Sequence, residues 1–422
     1  MRPITSGSRR LLQLAAIGAT GMMLVACSGG GGGDDDAGAS GGEGGGTITV
    51  WMDQNRADAL ADVIAAFEEE SGTTVEVVIK EFGDIAGDFV TQAPSGEGPD
   101  VVLAPHDALG NLVSNGVVSP IELGDAAGDF QEIAIEAMSY EGSVYGVPVS
   151  IENLALVRNT ALAPEAPATW DDLVSTGQAA VASGAAQYPL LVGLDPNNAD
   201  PYHLYPLQAS FGGPLFALNE DGTYDGSDLQ IGNEGNLEFA SALQEWGTSG
   251  VLNLSISQDI AKEQFAAGAS PYTITGPWSL EQFDEAGIEY AVDPIPSAGS
   301  LPATPLVGVQ GFMLSSYSEN SIVATQFITD YIASEDAQTA IYEAGDRAPA
   351  LTAAFEAMPA DSPTTAFGEI GSDAVPMPNV PEMAAIWDQW GATEAQIIGG
   401  QGDPTQLWTD MSTAIQSTID GS

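Results

Sequence analysis

Between Thr47 and Leu103 the hydrophobic period switches between strand and helix spacing, and that alternation constrains the fold more than any other feature of the chain. Thr47 to Trp51 reads as a short strand. From Arg56 to Glu70, Leu60, Val63, Ile64 and Phe67 recur at helical spacing, and Gly72 stops the helix. Val75, Val77 and Ile79 alternate as a strand, and Pro99-Asp100-Val101-Val102-Leu103 reads as a buried strand after a Gly/Pro turn. Strand and helix in alternation predict an α/β fold with a mainly parallel sheet covered on both faces. Further on, Gly146 to Asn159 gives two extended runs around Glu152-Asn153, and Thr169 with Asp172 resembles a capping box. Thr273 to Thr275 and Val307 to Leu314 read as strands. Val323, Phe327, Ile328 and Tyr331 mark an amphipathic helix, and Pro381 to Asp420 reads mostly helical. A chain of 422 residues without internal repeats suits two α/β lobes joined by more than one crossover.

Charge excludes whole classes of partner. Lys plus Arg total 8 against 59 Asp plus Glu, a net charge of -51, and Arg2, Arg9 and Arg10 hold three of the eight cations. Nucleic-acid binding needs clustered cations to neutralise phosphates, and anionic lipid surfaces need a basic patch. One cysteine rules out an intrachain disulfide and a Cys-based zinc site, and two histidines, His106 and His203, argue against a His-rich metal centre. No cofactor or metal is expected.

The first 26 residues have the layout of an export signal: Arg9 and Arg10, an apolar stretch from Leu11 to Ala26, and no acid before Asp34. Leu24-Val25-Ala26-Cys27 resembles a bacterial lipobox, so Cys27 is expected to carry a lipid that anchors the protein to the outer face of the cell membrane. Residues 27–46 are nearly all Gly, Asp, Ser and Ala and read as a flexible tether. Glycines 29–33 make no phosphate loop, because no strand precedes them and no helix follows.

Several phrases resemble one family in order and spacing. They are Thr47 to Trp51, Gly98 to Val102 with His106-Asp107, Tyr145-Gly146-Val147-Pro148, Gly276-Pro277-Trp278, Gly308-Val309, and Met377-Pro378-Asn379-Val380-Pro381. The family is that of the maltose/maltodextrin-binding proteins of ABC sugar importers, and the likeness covers nearly all of Thr47 to Asp420. It implies a periplasmic-binding-protein-like fold with sugar in the cleft between the lobes. Residues 47–150 and 312–355 would form the first lobe. Residues 153–306 and 363–422 would form the second. Residues 151–152, 307–311 and 356–362 would cross between them as hinges. The implied protein is a non-catalytic, monomeric receptor that delivers maltooligosaccharides, or another di- or oligosaccharide, to membrane permease subunits.

A sugar presents an apolar C–H face and a hydroxyl rim, so its site needs flat aromatics beside fixed polar groups. By resemblance Trp278, Trp387 and Tyr202 are ring platforms drawn from both halves of the molecule, with Asp200 beside Tyr202. The Gly276-Pro277 strand end is expected to aim Trp278 outward. Glu152 interrupts the apolar run Val147 to Leu156, and with so few cations a sugar hydroxyl is its expected partner rather than a hinge salt bridge. Asp107, and Asp53, Asn55 and Arg56, follow strands where open α/β sheets bind ligands. The match needs a one-residue gap at 53–56, which leaves the choice among those three open. Arg56 is either a donor to hydroxyls or a helix-start arginine in a surface pair. Trp51, Trp170 and Trp246 read as packing residues; Trp390 either lines the cleft or flanks Trp387.

The chain departs from the family pattern at Ala104, where a tryptophan is common, and at Ala108 and Gly391, where arginines are common. Those departures put the identity of the sugar in question. Two rival readings are a glycoside hydrolase built on Glu152, Asp107 and Asp200, and an iron receptor using His106, His203, Tyr202 and Tyr205.

Overall fold

The computed structural model describes residues 46–219, 223–360, 362–371 and 374–421; the export signal, Cys27 and the tether lie outside the described residues. Thr47–Met52 pairs in parallel with Thr74–Ile79 on one side and Val101–Pro105 on the other. Helices Gln54–Ala59, Ala61–Ser71 and Phe82–Gln92 make the crossovers. The run from Arg56 to Glu70 is therefore two helices, broken at Leu60, whose side chain is fully buried. Asp53 caps the first, and Gly72, at φ 69°, ends the second.

Beyond Val101–Pro105 the pairing turns mostly antiparallel. The long strand Leu306–Ser315 runs antiparallel to Val101–Pro105, Gly146–Glu152 runs antiparallel to the long strand, and Ala348–Pro349 lies at that edge. The sheet is mixed rather than mainly parallel. Local crossovers build its first three strands, whereas the long strand comes back from the other lobe and is free of the handedness rule for helical crossovers.

The second sheet runs Tyr290–Asp293, Ala155–Asn159, Tyr272–Thr275, Leu191–Val192, antiparallel except for its last pair. Side-chain alternation divides its faces. Leu154, Leu156, Val192 and Ile274 join one core; Ala155, Val157 and Leu191 join another with Phe265 and Phe283. Thr169 accepts a hydrogen bond from the Asp172 N–H at 3.1 Å and opens the helix Trp170–Ser183.

The buried cores follow the two lobes. One draws on Ile48 to Val149 and on Val307 to Ala354. The larger of the other two draws on Leu154 to Leu306 and on Met377 to Ile415. The fold is thus α/β with two lobes, and the strands Gly146–Glu152 and Leu306–Ser315 run from one core to the margin of the other.

Candidate functional site

On the first lobe, a ring of polar side chains closes around the C-terminal ends of the central strands. Asp53, at the cap of Gln54–Ala59, accepts from Arg56 Nη1 at 2.8 Å. Arg56 donates its other terminal nitrogen to Gln310 Oε1, and Gln310 donates to Glu152 Oε1. Glu152 Oε2 accepts from Arg347 Nε at 2.9 Å. Arg347 Nη1 donates to Asn55 Oδ1 at 3.0 Å, and Asn55 donates onward to the Ala344 carbonyl at 2.8 Å. Arg56 is 2 % exposed, so it is no surface pair, and its Nε is buried without a hydrogen-bond partner. Burial and then the Arg347 charge lower its pKa to about 10, against Asp53 and Glu152, which favour its charged form.

The second lobe supplies the rings. Tyr202, Trp278 and Trp387 are half-buried, and all three pack against the same second-lobe core. Tyr202 lies 6.5 Å from Trp278 between ring centroids, and Trp387 stacks at 5.5 Å on the fully buried Trp390. The expectation that rings come from both halves is corrected: the rings come from one lobe and most of the polar groups from the other. Trp278 is not thrown outward either. Its indole folds back over Gly276, where a Cβ would stand 2.1 Å from a ring carbon. Tyr202 Oη is buried with no hydrogen-bond partner. Its phenol is pushed well above the usual range by burial and by the charges of Glu152, Asp200 and Asp107.

Direct contacts span the two lobes. Trp387 Nε1 donates to Asp107 Oδ2 at 3.1 Å, while burial raises the Asp107 carboxyl to about 6. His106 is 1 % exposed; its Nδ1 accepts from the Val309 N–H and its Nε2 donates to the Met377 carbonyl, both at 3.0 Å. Those two bonds fix the neutral tautomer, and burial lowers its pKa to about 4. The Gly110 N–H donates to the Asn379 carbonyl at 3.1 Å, an approach that leaves no room for a Cβ. Arg347 Cζ lies 6.0 Å from the Trp278 ring centroid.

The structure thus brings Asp53, Asn55, Arg56 and Glu152 into one network, joins Asp107 to Trp387, and places Tyr202 beside Trp278. Asp200 is occupied: it caps Pro201–Ser210, lies 2.8 Å from His203 Nδ1 and accepts from Gln258 at 2.9 Å. His203 and Gln258 hold its carboxyl below the usual range although burial pushes it up. Glu152 has the salt-bridge partner that the scarcity of cations argued against. Trp390 flanks Trp387 from within the core; Trp51, Trp170 and Trp246 are buried. Ala104 is buried inside its strand, and a Cβ at Gly391 would lie 2.3 Å from the Asn198 carbonyl oxygen. A larger side chain at either place would meet packed protein.

Sequence reasoning missed Arg347, Gln310 and Glu394. Arg347 is one of five cations past Cys27, and that scarcity was itself a signal. Gln310 sits within a long apolar run, where a polar residue is itself a signal. Glu394 gave no signal, because a mid-helix acid normally faces water; here it is fully buried and both oxygens lack partners. Burial, and then the Asp200 charge, raises its pKa well above the carboxylate range.

Glu152, Asp200 and Asp107 each have protein partners, and both ring nitrogens of His106 are engaged. Among the described residues no group of three or more His, Cys, Asp or Glu is placed to hold a metal ion. None of the described helices is long and apolar enough to cross a membrane.

Comparison with known proteins gives a consistent result. The family model described as "Bacterial extracellular solute-binding protein" matches residues 62–367. The maltodextrin-binding protein MdxE of Bacillus subtilis is 29% identical over 347 residues, covering 81% of this chain and 82% of that one. The galactooligosaccharide-binding protein of the same organism is 26% identical over 369 residues, covering 85% and 86%. The structure of a Thermus thermophilus maltotriose binding protein bound with maltotriose superposes with a TM-score of 0.80 at 28% identity, covering 88% of this chain and all of that one. With two α/β lobes meeting across rings on one side and a polar network on the other, the chain belongs to the bacterial extracellular solute-binding protein family.

Proposed function

We propose that this protein is the receptor of an ABC sugar importer and takes a maltooligosaccharide between its lobes. The reading rests above all on the unpartnered Tyr202 hydroxyl, buried beside Trp278 and within the field of the Glu152, Asp200 and Asp107 carboxylates. Such a group is costly unless something completes its hydrogen bond. The ligand is neutral because acids of the facing network are already paired with cations: Asp53 with Arg56 and Glu152 with Arg347. Trp278, Trp387 and Tyr202 stack on the C–H faces of the sugar. Asp107, Glu152, Asp53, Asn55 and Arg56 line the hydroxyl rim, and Asp200 stiffens the turn that carries Tyr202. Residues 151–152, 307–311 and 356–362 are the hinges, and sugar favours the closed arrangement by contacting both lobes. A lipid on Cys27 holds the monomeric receptor at the outer membrane face near its permease. The protein performs no chemistry on its ligand.

The names of the relatives favour two sugar classes, α-glucans and galactooligosaccharides. A thermal-shift and tryptophan-fluorescence panel of both classes tests the reading. A raised melting temperature with at least one class is expected. Silence across the panel, or the release of shorter products, would contradict it.

A further inference from the structure

Arg347 touches more of the site than any other cation. Its Nε donates to Glu152, its Nη1 donates to Asn55, and its guanidinium carbon lies 6.0 Å from the centre of the Trp278 ring. Asn55 and Glu152 belong to the polar network of the first lobe, whereas Trp278 packs on the second-lobe core. The local backbone is shaped for this placement. The helix Glu335–Gly345 ends at Asp346, a non-glycine residue in the left-handed region at φ 52°, which turns the chain back on itself. The guanidinium then lies over Gly345, where a Cβ would stand 2.2 Å from Arg347 Nη1 and 2.9 Å from Asn55 Oδ1. The pairing of Ala348–Pro349 with Ser150 and Ile151 fixes the following residues to the crossing strand that carries Glu152. A strained turn, a bare glycine and a strand pairing all serve to seat one side chain.

We infer that Arg347 is a positioning residue for the sugar site, coupling the Glu152 carboxylate at the crossing strands to the Trp278 ring across the cleft. The inference rests on the carbohydrate-binding reading for its consequence but not for its geometry. A guanidinium can do this and an ammonium cannot, because only the flat fork donates separate nitrogens to a carboxylate and an amide while its central carbon stays within 6.0 Å of an indole. Arg347 thus sets where the ring stands relative to the carboxylate, and that spacing decides which sugar length and linkage satisfies both. Arg56 is the other guanidinium of the network; its contacts are Asp53, Gln310 and the Phe82 ring at 5.2 Å, all away from Trp278.

The test combines a ligand-free readout with a binding readout on the full chain. In the ligand-free protein the Trp278 indole N–H resonance, identified by its loss in Trp278→Phe, should shift in Arg347→Lys and also in Glu152→Gln, while that of Trp408, buried in the second-lobe core with its indole N–H donated to the Ile231 carbonyl at 2.7 Å, stays unmoved. With maltotriose as the probe, Arg347→Lys should weaken binding about tenfold. Arg347→Lys combined with Trp278→Phe should lose no more than the worse single variant. An unmoved Trp278 resonance in Arg347→Lys overturns the inference, whether or not any sugar binds. So does a double variant whose losses multiply. A shifted resonance in a protein that binds neither sugar class leaves the coupling standing and removes the carbohydrate reading instead.

Discussion

A buried hydroxyl without a partner is costly to the fold unless a ligand completes its hydrogen bond. Tyr202 Oη is such a group, and Tyr202→Phe removes it without disturbing the ring. The ligand-free protein should melt at the same temperature or higher, while affinity for the favoured sugar falls by about 1 kcal/mol. A lower melting temperature with unchanged affinity would make Tyr202 a structural residue. Trp278→Ala should weaken binding by about 1–3 kcal/mol; titration calorimetry measures it. His106 works in the opposite sense, as a fold residue that reads like a ligand in sequence. Its folded pKa of about 4 lies below the ordinary 6.5. The unfolded chain therefore takes up the proton first, and stability is lost as pH falls from about 6.5 to about 4. In His106→Gln that loss should shrink by about 3 kcal/mol, read from denaturation midpoints at several pH values. The raised carboxyls of Asp107 and Glu394 run the other way, so the comparison of variant with wild type isolates His106. That the polar residues at the strand ends, Asp53, Asn55, Arg56 and Glu152, belong together was legible from their place in the α/β pattern. What sequence does not reveal is pairing: Glu152 read as free for sugar only while Arg347, 195 positions away, was unplaced.

At the scale of elements, periodicity located most strands and helices, and it failed where tertiary contact overrode it. The break at Leu60 is one case. The helix from Ser321 is another: Ser321–Gln326 widens into a π-helical turn at Phe327–Ile332, which brings both Phe327 and Ile328 fully into the core. A regular amphipathic helix was the natural reading of that spacing. The mixed first sheet is a third case, since strand direction depends on the path through the other lobe rather than on any local pattern. Element-to-element approach carries its own prediction. Gly110 lies where its helix meets the Asn379–Pro381 backbone, with Asn379 O 2.3 Å from a would-be Cβ. Gly110→Ala should destabilise the fold by about 1–3 kcal/mol. Because the 377–381 segment also carries the His106 contact and leads to Trp387, sugar affinity should fall with it. Thermal melts and titrations of the variant check both.

For the molecule as a whole, charge is the dominant fact. Past Cys27 five cations remain, Arg56, Lys80, Arg158, Lys262 and Arg347, and each is ion-paired with an acid. The rest of the acidic excess repels itself. Salt shortens the reach of that repulsion to about 3 Å at 1 M, so the melting temperature should rise with sodium chloride; a flat or falling profile would mean that the surface carboxylates are compensated in some other way. The two-lobe α/β class was legible from alternating periods and chain length, because each lobe builds its own core. The division of labour between the lobes was not, since only the folded contacts show that Tyr202, Trp278 and Trp387 all rest on one core.

The account stands most directly on a calorimetric titration of residues 46–422 with maltotriose and with a galactooligosaccharide. It predicts saturable one-to-one binding of at least one of them, weakened by Trp278→Ala on one lobe and by Asp107→Asn on the other. Binding that either lobe's substitution leaves untouched, or no binding of either sugar, would contradict it.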